Sequence, residues 1–463
     1  MARRRGNHSA LLRRRVLLPA YWKFVKRSRV LEDLRQLEDQ QWNPVEENRL
    51  IQARKLYRLL AHASRHIAYY KRIVQERGIR ISEDRIFDAL REFPPLTKGL
   101  IREHFDELSP LGGIACHLNH SGGSTGEPVQ FYQDVSYESR KHAVKLLFRE
   151  WAGCAVGARV VKLWGSERDV FYGSQGLRGK LSSMLHNSKL VNGFNLSESD
   201  MAEFVRLLSK LRPTTIVAYV DAIHEVARYI LDRRVDPYSP LSVVASAGTL
   251  FPSFREKIES AFRAPVFNRY GARETGDVAC ECEEHAGLHT LPTTHVLEVV
   301  DPKGAGCLAN EVGEILVTPL ENFSMPLIRY AIGDRGAISD RDCPCGRGLP
   351  MLAGIEGRST SRLRNRRGDY VSPLYFIHLI GVVLDDGHII QRFQVVQEEE
   401  DLVVVKLVVA STTPSALRQL LESIKEKTRL VMGDETRVEC ELVSEIPPSP
   451  SGKYLYVTSK VEA

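Results

Sequence analysis

The feature that most narrows the fold is the alternation of two textures between roughly residues 115 and 300. Short β-branched or apolar runs (Val160-Val161, Thr215-Ile216-Val217, Val243-Val244-Ala245, Ala264-Pro265-Val266-Phe267) are separated by amphipathic stretches at Ser199–Leu211, Ala222–Arg233 and Ser253–Phe262. A two-residue period giving way repeatedly to a 3.6-residue period is the pattern of an α/β layered domain.

On either side the texture changes. Residues 30 to 108 read as helical and charge-laced until Pro94-Pro95 breaks the run, and Thr97-Lys98 opens a further helix. Residues 294 to 340 are strand-dense, with runs at His295–Val300 and Glu314–Thr318 and a turn opening at Gly333. After Gly357 the segments Gln391–Val396, Leu402–Val409, Ala416–Thr428 and Thr436–Leu442 read as β, β, α, β. The expected organisation is a basic arm over 1–29, a large multi-layer α/β nucleotide-binding domain over 30–356, and a small mobile α+β domain over 357–463.

With 463 residues, 43% of them hydrophobic, the chain has apolar material for more than one core. Its net charge of +6 is concentrated at the start, where ten Arg or Lys precede the first acid, Glu32. The remainder is close to neutral, so the charge gives no reason to expect nucleic acid as a partner. The arm reads as solvated; a sharper reading is an interfacial segment, with basic groups near lipid headgroups and Leu, Tyr and Trp dipping in. No apolar run is long enough for a transmembrane helix, and no cleavage site follows an apolar core in the arm.

His120-Ser121-Gly122-Gly123-Ser124-Thr125-Gly126-Glu127-Pro128 follows a short strand-like stretch. Its glycines let backbone N–H groups approach an anion, and Ser121, Ser124 and Thr125 add hydroxyl donors, as a phosphate chain requires. The G-K-[ST] ending of a Walker loop is missing. Four further motifs follow: Asn268-Arg269-Tyr270-Gly271-Ala272-Arg273-Glu274-Thr275-Gly276 after a predicted strand, Tyr330-Ala331-Ile332-Gly333-Asp334-Arg335 with its acid in a turn, Gly357-Arg358, and Pro447 to Lys453.

In this order the five motifs resemble the adenylate-forming superfamily of acyl-CoA ligases and adenylation domains. Within it the chain is similar to the phenylacetate–CoA ligase-like proteins, especially the branch found in capsule and exopolysaccharide biosynthesis, from about Val16 to the end. The resemblance implies that Ser121, Gly122, Gly123, Ser124, Thr125 and Gly126 clasp the β- and γ-phosphates of ATP. Ser246, Ala247 and Gly248 would form the strand end against which adenine lies. Tyr270 would stack on adenine, within a nucleotide-binding segment that includes Arg269, Gly271 and Arg273, and Glu274 would ligate Mg²⁺. Asp334 would hold the ribose hydroxyls, Arg358 would lie at the hinge, and Lys453 would reach the α-phosphate.

The chemistry suits these residue types. A carboxylate attacking the α-phosphate brings negative charge onto negative charge, so Mg²⁺ and a lysine are natural counterweights. Four positions depart from the family pattern: Val129 stands where lysine is frequent, Arg273 where threonine is, Ala331 where arginine is, and Ser361 where an acidic hinge residue is.

Eight cysteines include two C-x-C pairs, Cys280/Cys282 and Cys343/Cys345, with His285 and His289 nearby. Soft pairs separated by a strand-rich insert suit a structural, tetrahedral zinc site and, without a signal peptide, a reducing cytoplasm. The resemblance favours Cys282, His289, Cys343 and Cys345 as ligands, with Cys280 and His285 in reserve.

The expectation is therefore a ligase that converts a carboxylate to an acyl-AMP, releases pyrophosphate, and passes the acyl group to an acceptor. An amino group of an amino acid, amine or glycan-linked molecule would give an amide, and coenzyme A would give a thioester. A non-catalytic, zinc-stapled scaffold is the alternative from another class. The walls of the acyl pocket are expected from Leu163 to Ser166, Phe194 to Leu196 and Tyr219 to Asp221. Lys162, Arg168 and Asp221 point to a polar substrate.

Overall fold

The computed structural model describes residues 12–110, 112–121, 129–164, 183–193, 196–358, 363–365, 370–371, 375–376, 379–380, 389–410, 412–447 and 455–461. The chain divides into a larger unit, built mostly from residues before 356, and a smaller unit from Glu356 onward that also takes in Gly333–Arg335.

The larger unit opens with helices α1 (Val30–Gln40) and α2 (Val45–His66). Leu56, Leu60 and Ala63 lie one turn apart along α2, and that stripe is buried in a large apolar cluster. The helix expected at Thr97-Lys98 is present, and the Thr97 hydroxyl oxygen accepts from the Leu100 N–H at 3.2 Å as its N-cap. A two-stranded hairpin follows, β1 (Cys116–His120) and β2 (Gln130–Asp134), antiparallel with His120 opposite Gln130. It leads into the long helix α3 (Val135–Trp151).

Beyond α3 the alternating texture becomes a sheet with helices against it. The strands are β3 (Val160–Trp164), β4 (Ser188–Asn192), β5 (Thr215–Tyr219), β6 (Ser242–Ser246) and β7 (Val266–Ala272). Helices α4 (Glu198–Leu211), α5 (Val220–Asp232) and α6 (Pro252–Phe262) connect them. These five strands are parallel, and every residue of β5 and of β6 is buried, as expected of strands covered on both faces. The sheet continues through β8 (Gly276–Glu281), β9 (Leu288–Thr290), β10 (His295–Val300), β11 (Gly313–Pro319), β12 (Tyr330–Ile338) and β13 (Met351–Arg358). Among the described residues it has eleven strands in the order β10-β11-β12-β13-β9-β8-β7-β6-β5-β3-β4. The turn from parallel to antiparallel pairing falls at β7–β8.

The smaller unit holds a short pair, β14 (Leu363–Arg364) and β15 (Tyr370–Val371), and a four-stranded sheet in the order β18-β17-β16-β19. Its strands are β16 (Ile390–Glu399), β17 (Leu402–Val409), β18 (Arg437–Leu442) and β19 (Val457–Ser459), with helix α7 (Pro414–Met432) between β17 and β18. Buried Gln397 ties the short pair to this sheet by accepting from the Arg364 N–H at 3.0 Å and donating to its carbonyl at 2.7 Å.

Two expectations need correction here. Asp334 does not sit in a turn: it lies inside β12, where Gly333 takes φ +87°, a conformation open to glycine at little steric cost. The basic arm is not simply solvated either. Residues 13 to 25 are helical, and Leu18 and Trp22 are buried with Val30, Leu34 and Leu37 of α1 and Val144 and Phe148 of α3. Burying two large apolar side chains stabilises that docking by roughly 3–6 kcal/mol. Trp22 therefore packs inside the protein, while Val16, Leu17, Phe24 and Val25 remain exposed.

Candidate active site and metal centre

The glycine-rich loop is carried by the β1–β2 hairpin. Ser121 closes its neck: its N–H donates to the Val129 carbonyl and its hydroxyl oxygen accepts from the Val129 N–H, both at 2.8 Å. Gly122, Gly123, Ser124, Thr125 and Gly126 lie outside the described residues, as do Lys453, Ser361 and the side chain of Arg358. Val129 is fully buried in the large apolar cluster, so at this position the chain uses its side chain for packing.

The second motif is carried by β7, which continues through Tyr270 and Gly271 to Ala272. A side chain on Gly271 would come within 2.3 Å of the Gly276 carbonyl oxygen, so only glycine allows the hairpin to close here. Tyr270 is buried to 9% exposure in the same apolar cluster. Glu274 follows in the β7–β8 turn, buried, with its carboxylate accepting from the Tyr330 hydroxyl at 3.0 Å.

Three side chains pin the backbone of this turn. The Gln133 amide nitrogen donates to the Arg273 and Glu274 carbonyls at 3.3 and 3.0 Å, and the Tyr137 hydroxyl donates to the Thr275 carbonyl at 2.6 Å. Nε2 of His295 lies 2.8 Å from that same carbonyl. A carbonyl can only accept, so this nitrogen carries the proton. Burial lowers the His295 pKa to about 4, so its imidazole is neutral at physiological pH. The Gln133 amide oxygen accepts from Asn119 on β1 at 3.1 Å and from Lys141 on α3 at 2.8 Å. One glutamine thus joins the hairpin bearing the glycine-rich loop to the turn bearing Glu274. Sequence reasoning missed Gln133, Tyr137 and His295; a lone polar residue far from the motif it supports leaves no signal in one sequence.

Ser246, at the end of β6, pairs in register with Arg269 of β7 and with Tyr219 of β5. Ala247 follows with φ +61°, an uncommon conformation for a residue with a β-carbon, and a side chain at Gly248 would come within 3.1 Å of Val220 Cβ. This strained turn lies at the carboxyl end of a central parallel strand, where ligands of open α/β sheets gather.

The four expected metal ligands converge. The donor atoms of Cys282, His289, Cys343 and Cys345 lie within 4.8 Å of one another. Cys282 Sγ is 3.6 Å from Cys343 Sγ, and Cys345 Sγ is 3.4 Å from His289 Nε2. A tetrahedral zinc ion at ordinary bond lengths needs S···S and S···N edges of about 3.8 and 3.6 Å, so the arrangement fits. His289 Nδ1 sits 3.2 Å from the Leu349 carbonyl, which holds the proton on that nitrogen and leaves Nε2 free to ligate. Burial pushes the Cys282 thiol up to about 12, so a bound cation would be needed to hold it as thiolate near neutral pH. The two reserves are engaged differently: His285 Nδ1 lies 3.1 Å from the Glu281 carboxylate, and Cys280 is buried on β8 opposite Arg269.

Comparison with known proteins adds the following. Residues 363–460 match the CapK C-terminal domain family. Protein CapK of Staphylococcus aureus is 24% identical over 451 residues, covering 96% of this chain and 93% of CapK. The chain is a homologue of CapK and of the phenylacetate–coenzyme A ligases. The phenylacetate–coenzyme A ligase of Thermus thermophilus is 27% identical, over 77% of this chain and 80% of that enzyme. Among solved structures, 2-hydroxyisobutyryl-CoA ligase in its postadenylation state superposes with a TM-score of 0.73, at 18% identity and over 91% of each chain. The fold is that of the adenylate-forming ligases.

Proposed function

We propose that this protein is an ATP-dependent ligase that activates a carboxylate as an acyl-AMP. The observation that carries the reading is the Gln133 junction, which places the hairpin of a phosphate-type loop and a buried carboxylate in one hydrogen-bonded assembly. A substrate carboxylate oxygen bonds to the α-phosphorus as the bond to pyrophosphate breaks, giving acyl-AMP and pyrophosphate. Mg²⁺, when bound, neutralises charge on the phosphates, and Glu274 offers the hard oxygen donor such an ion takes. The loop from Ser121 to Gly126 holds the phosphates, and Ser246 to Gly248 with the segment Arg269 to Arg273 holds the nucleoside. Asp334 binds the ribose, Arg358 marks the hinge, and residues 357–463 act as a mobile lid carrying Lys453. Zinc at Cys282, His289, Cys343 and Cys345 is structural.

Lys453 gives the direct test. Lys453→Ala removes a transition-state charge contact and should slow ATP–pyrophosphate exchange by about 10²-fold or more without changing the melting temperature. Exchange at the wild-type rate would remove this lysine from the account; wild-type protein with no exchange on any carboxylate would favour the zinc-stapled scaffold.

For the second half-reaction we propose an amine acceptor on an amino acid, amine or glycan-linked molecule, giving an amide in polysaccharide biosynthesis. The similarity to CapK over 96% of the chain supports it. Coenzyme A is the second reading, supported by the relatives named for thioester formation. Titration with coenzyme A and detection of the thioester separates the two.

We place the protein in the cytoplasm, where thiolate ligands stay reduced. Among the described residues no helix is long and apolar enough to cross a membrane. Peripheral contact with an anionic bilayer is supported by exposed Val16, Leu17, Phe24 and Val25 among basic residues, and co-sedimentation with anionic vesicles tests it.

A further inference from the structure

Helix α3 carries Lys141, Lys145 and Arg149 four residues apart, on one stripe that rises about 6 Å per step. Lys141 is committed: its ammonium donates to Gln133 and to the Glu138 carboxylate, both at 2.8 Å. The other two are buried close enough to Arg269 of β7 and Asp277 of β8 to act on both electrostatically. Asp277 is pulled below the usual carboxylate range by Arg269, Lys145 and Arg149 against the opposing effect of burial. Arg269 is 5% exposed, and its Nη1 lies 3.4 Å from Asp277 Oδ2 without forming a hydrogen bond.

Among the described residues, this group sets Lys141, Lys145, Arg149 and Arg269 against two carboxylates, Asp277 and Glu138, and Glu138 is paired with Lys141. Nε and Nη1 of Arg269, Nε of Arg149 and Oδ2 of Asp277 are buried with no hydrogen-bond partner. Asp277 favours the charged form of Lys145, but burial and its cationic neighbours outweigh that pull and lower its pKa. Deprotonating Lys145 would still leave two guanidiniums against one acid, since arginine does not titrate in this range. Buried donors without acceptors and uncompensated buried charge each cost stability, so the group is built for an anion that neutralises it.

Its position says which anion. Arg269 lies over the Trp164 ring at 5.8 Å, and Trp164 packs on Tyr219 with ring centroids 4.2 Å apart. Trp164 and Tyr219 close strands β3 and β5 at their carboxyl ends, beside the Ser246–Gly248 turn. Through Lys141 and Gln133 the basic stripe also reaches the Glu274 turn. Arg269 thus stands at a boundary, its backbone in the nucleotide-binding strand and its guanidinium in the aromatic-walled space expected for the acyl group.

We propose that Lys145, Arg149 and Arg269 bind a second anionic group on the acyl substrate, so that the enzyme adenylates a carboxylate bearing another carboxylate or a phosphate. The proposal rests on the adenylation reading and gives it a substrate class. One carboxylate is left free to attack ATP while the distal anion is anchored in the basic group, which orients the reacting end.

Matched pairs test this by pyrophosphate release: dicarboxylic acids against their monoamides, and phosphorylated hydroxy acids against the unphosphorylated acids. The two series separate the two sources of the distal anion. The dianionic member of at least one series should be favoured in kcat/KM by roughly 10²-fold. That ratio should collapse in Lys145→Gln and Arg149→Gln and persist in Lys145→Arg. Pyrophosphate release with no preference within any pair would overturn the proposal and leave adenylation standing; an unchanged ratio in folded Lys145→Gln and Arg149→Gln would overturn it too. No release with any pair would remove the adenylation reading, and this proposal with it.

Discussion

Glu274 presents its carboxylate from a turn whose backbone is held by groups other than its own side chain. Gln133, Tyr137 and His295 all bind main-chain carbonyls of residues 273 to 275. Glu274→Gln therefore keeps the turn and removes only the charge. It should slow ATP–pyrophosphate exchange by roughly 10²-fold and raise its Mg²⁺ requirement. Binding of a non-hydrolysable acyl-AMP mimic, which lacks the pyrophosphate, should be spared. Equal calorimetric losses for ATP and the mimic would mean that the carboxylate shapes the pocket and does not carry the ion. At this scale the sequence was informative where chemistry dictates residue type: Cys282, His289, Cys343 and Cys345, singled out by their spacing and the resemblance, do converge. It was silent on Gln133, which stands 141 positions from the carbonyl it supports, and on the bond by which the Ser121 hydroxyl oxygen accepts from the Val129 N–H at the neck of the loop.

Between elements, the Glu274 turn is coupled to strand β10 through His295. A histidine with an ordinary pKa near 6.5 when unfolded and about 4 when folded takes up protons in the unfolded chain first. Its contribution to stability is complete above about pH 6.5 and is lost as the pH falls through 4. The difference is on the order of 3 kcal/mol, and His295→Gln, which keeps a donor for the Thr275 carbonyl, should flatten that acid limb. Urea melts between pH 7 and 4 check this; an unchanged slope in the variant would assign the acid sensitivity elsewhere. Elements were read well where period and composition agree: His295–Val300 and Leu402–Val409 form strands over those same residues. They were misread where a local signal competed with tertiary pairing. Gly333-Asp334 has the composition of a turn, yet it lies within β12 because its flanking residues find strand partners. The arm has the composition of a solvated segment, yet Leu18 and Trp22 find an apolar surface that charge counting does not reveal. The two-residue strands β14 and β15 and three-residue β19 are too short to carry a period at all.

At the level of the molecule, a metal ion held by the four converging Cys and His side chains would bridge distant parts of the larger unit's sheet. Cys282 and Cys343 are 61 residues apart, and the strands β9 to β12 lie between them. A cross-link across that separation removes unfolded-state entropy worth up to about 4 kcal/mol in the chain-closure description used for disulfides. The candidate ligands also sit in an apolar cluster with Trp151 of α3 and Met351 of β13, so a metal bound there would fasten a helix, the sheet and a late loop together. Arg347 reinforces it by donating to Glu283 at 3.1 Å and Gln41 at 2.9 Å while lying over Trp42 and Trp151. Metal analysis should find about one zinc per chain. Chelation, or Cys343→Ser with Cys345→Ser, should lower the melting temperature and leave the residual activity per folded molecule near that of the parent. Among the described residues the four candidate ligands make no side-chain hydrogen bond to the Glu274 turn, so losing a metal should lower protein stability before it alters the chemistry. Loss of exchange activity at a temperature where the metal-free protein is still fully folded would give the ion a part in the reaction. Metal-free protein that melts with its parent would show that packing by Trp151, Leu349 and Met351 holds this region without the ion.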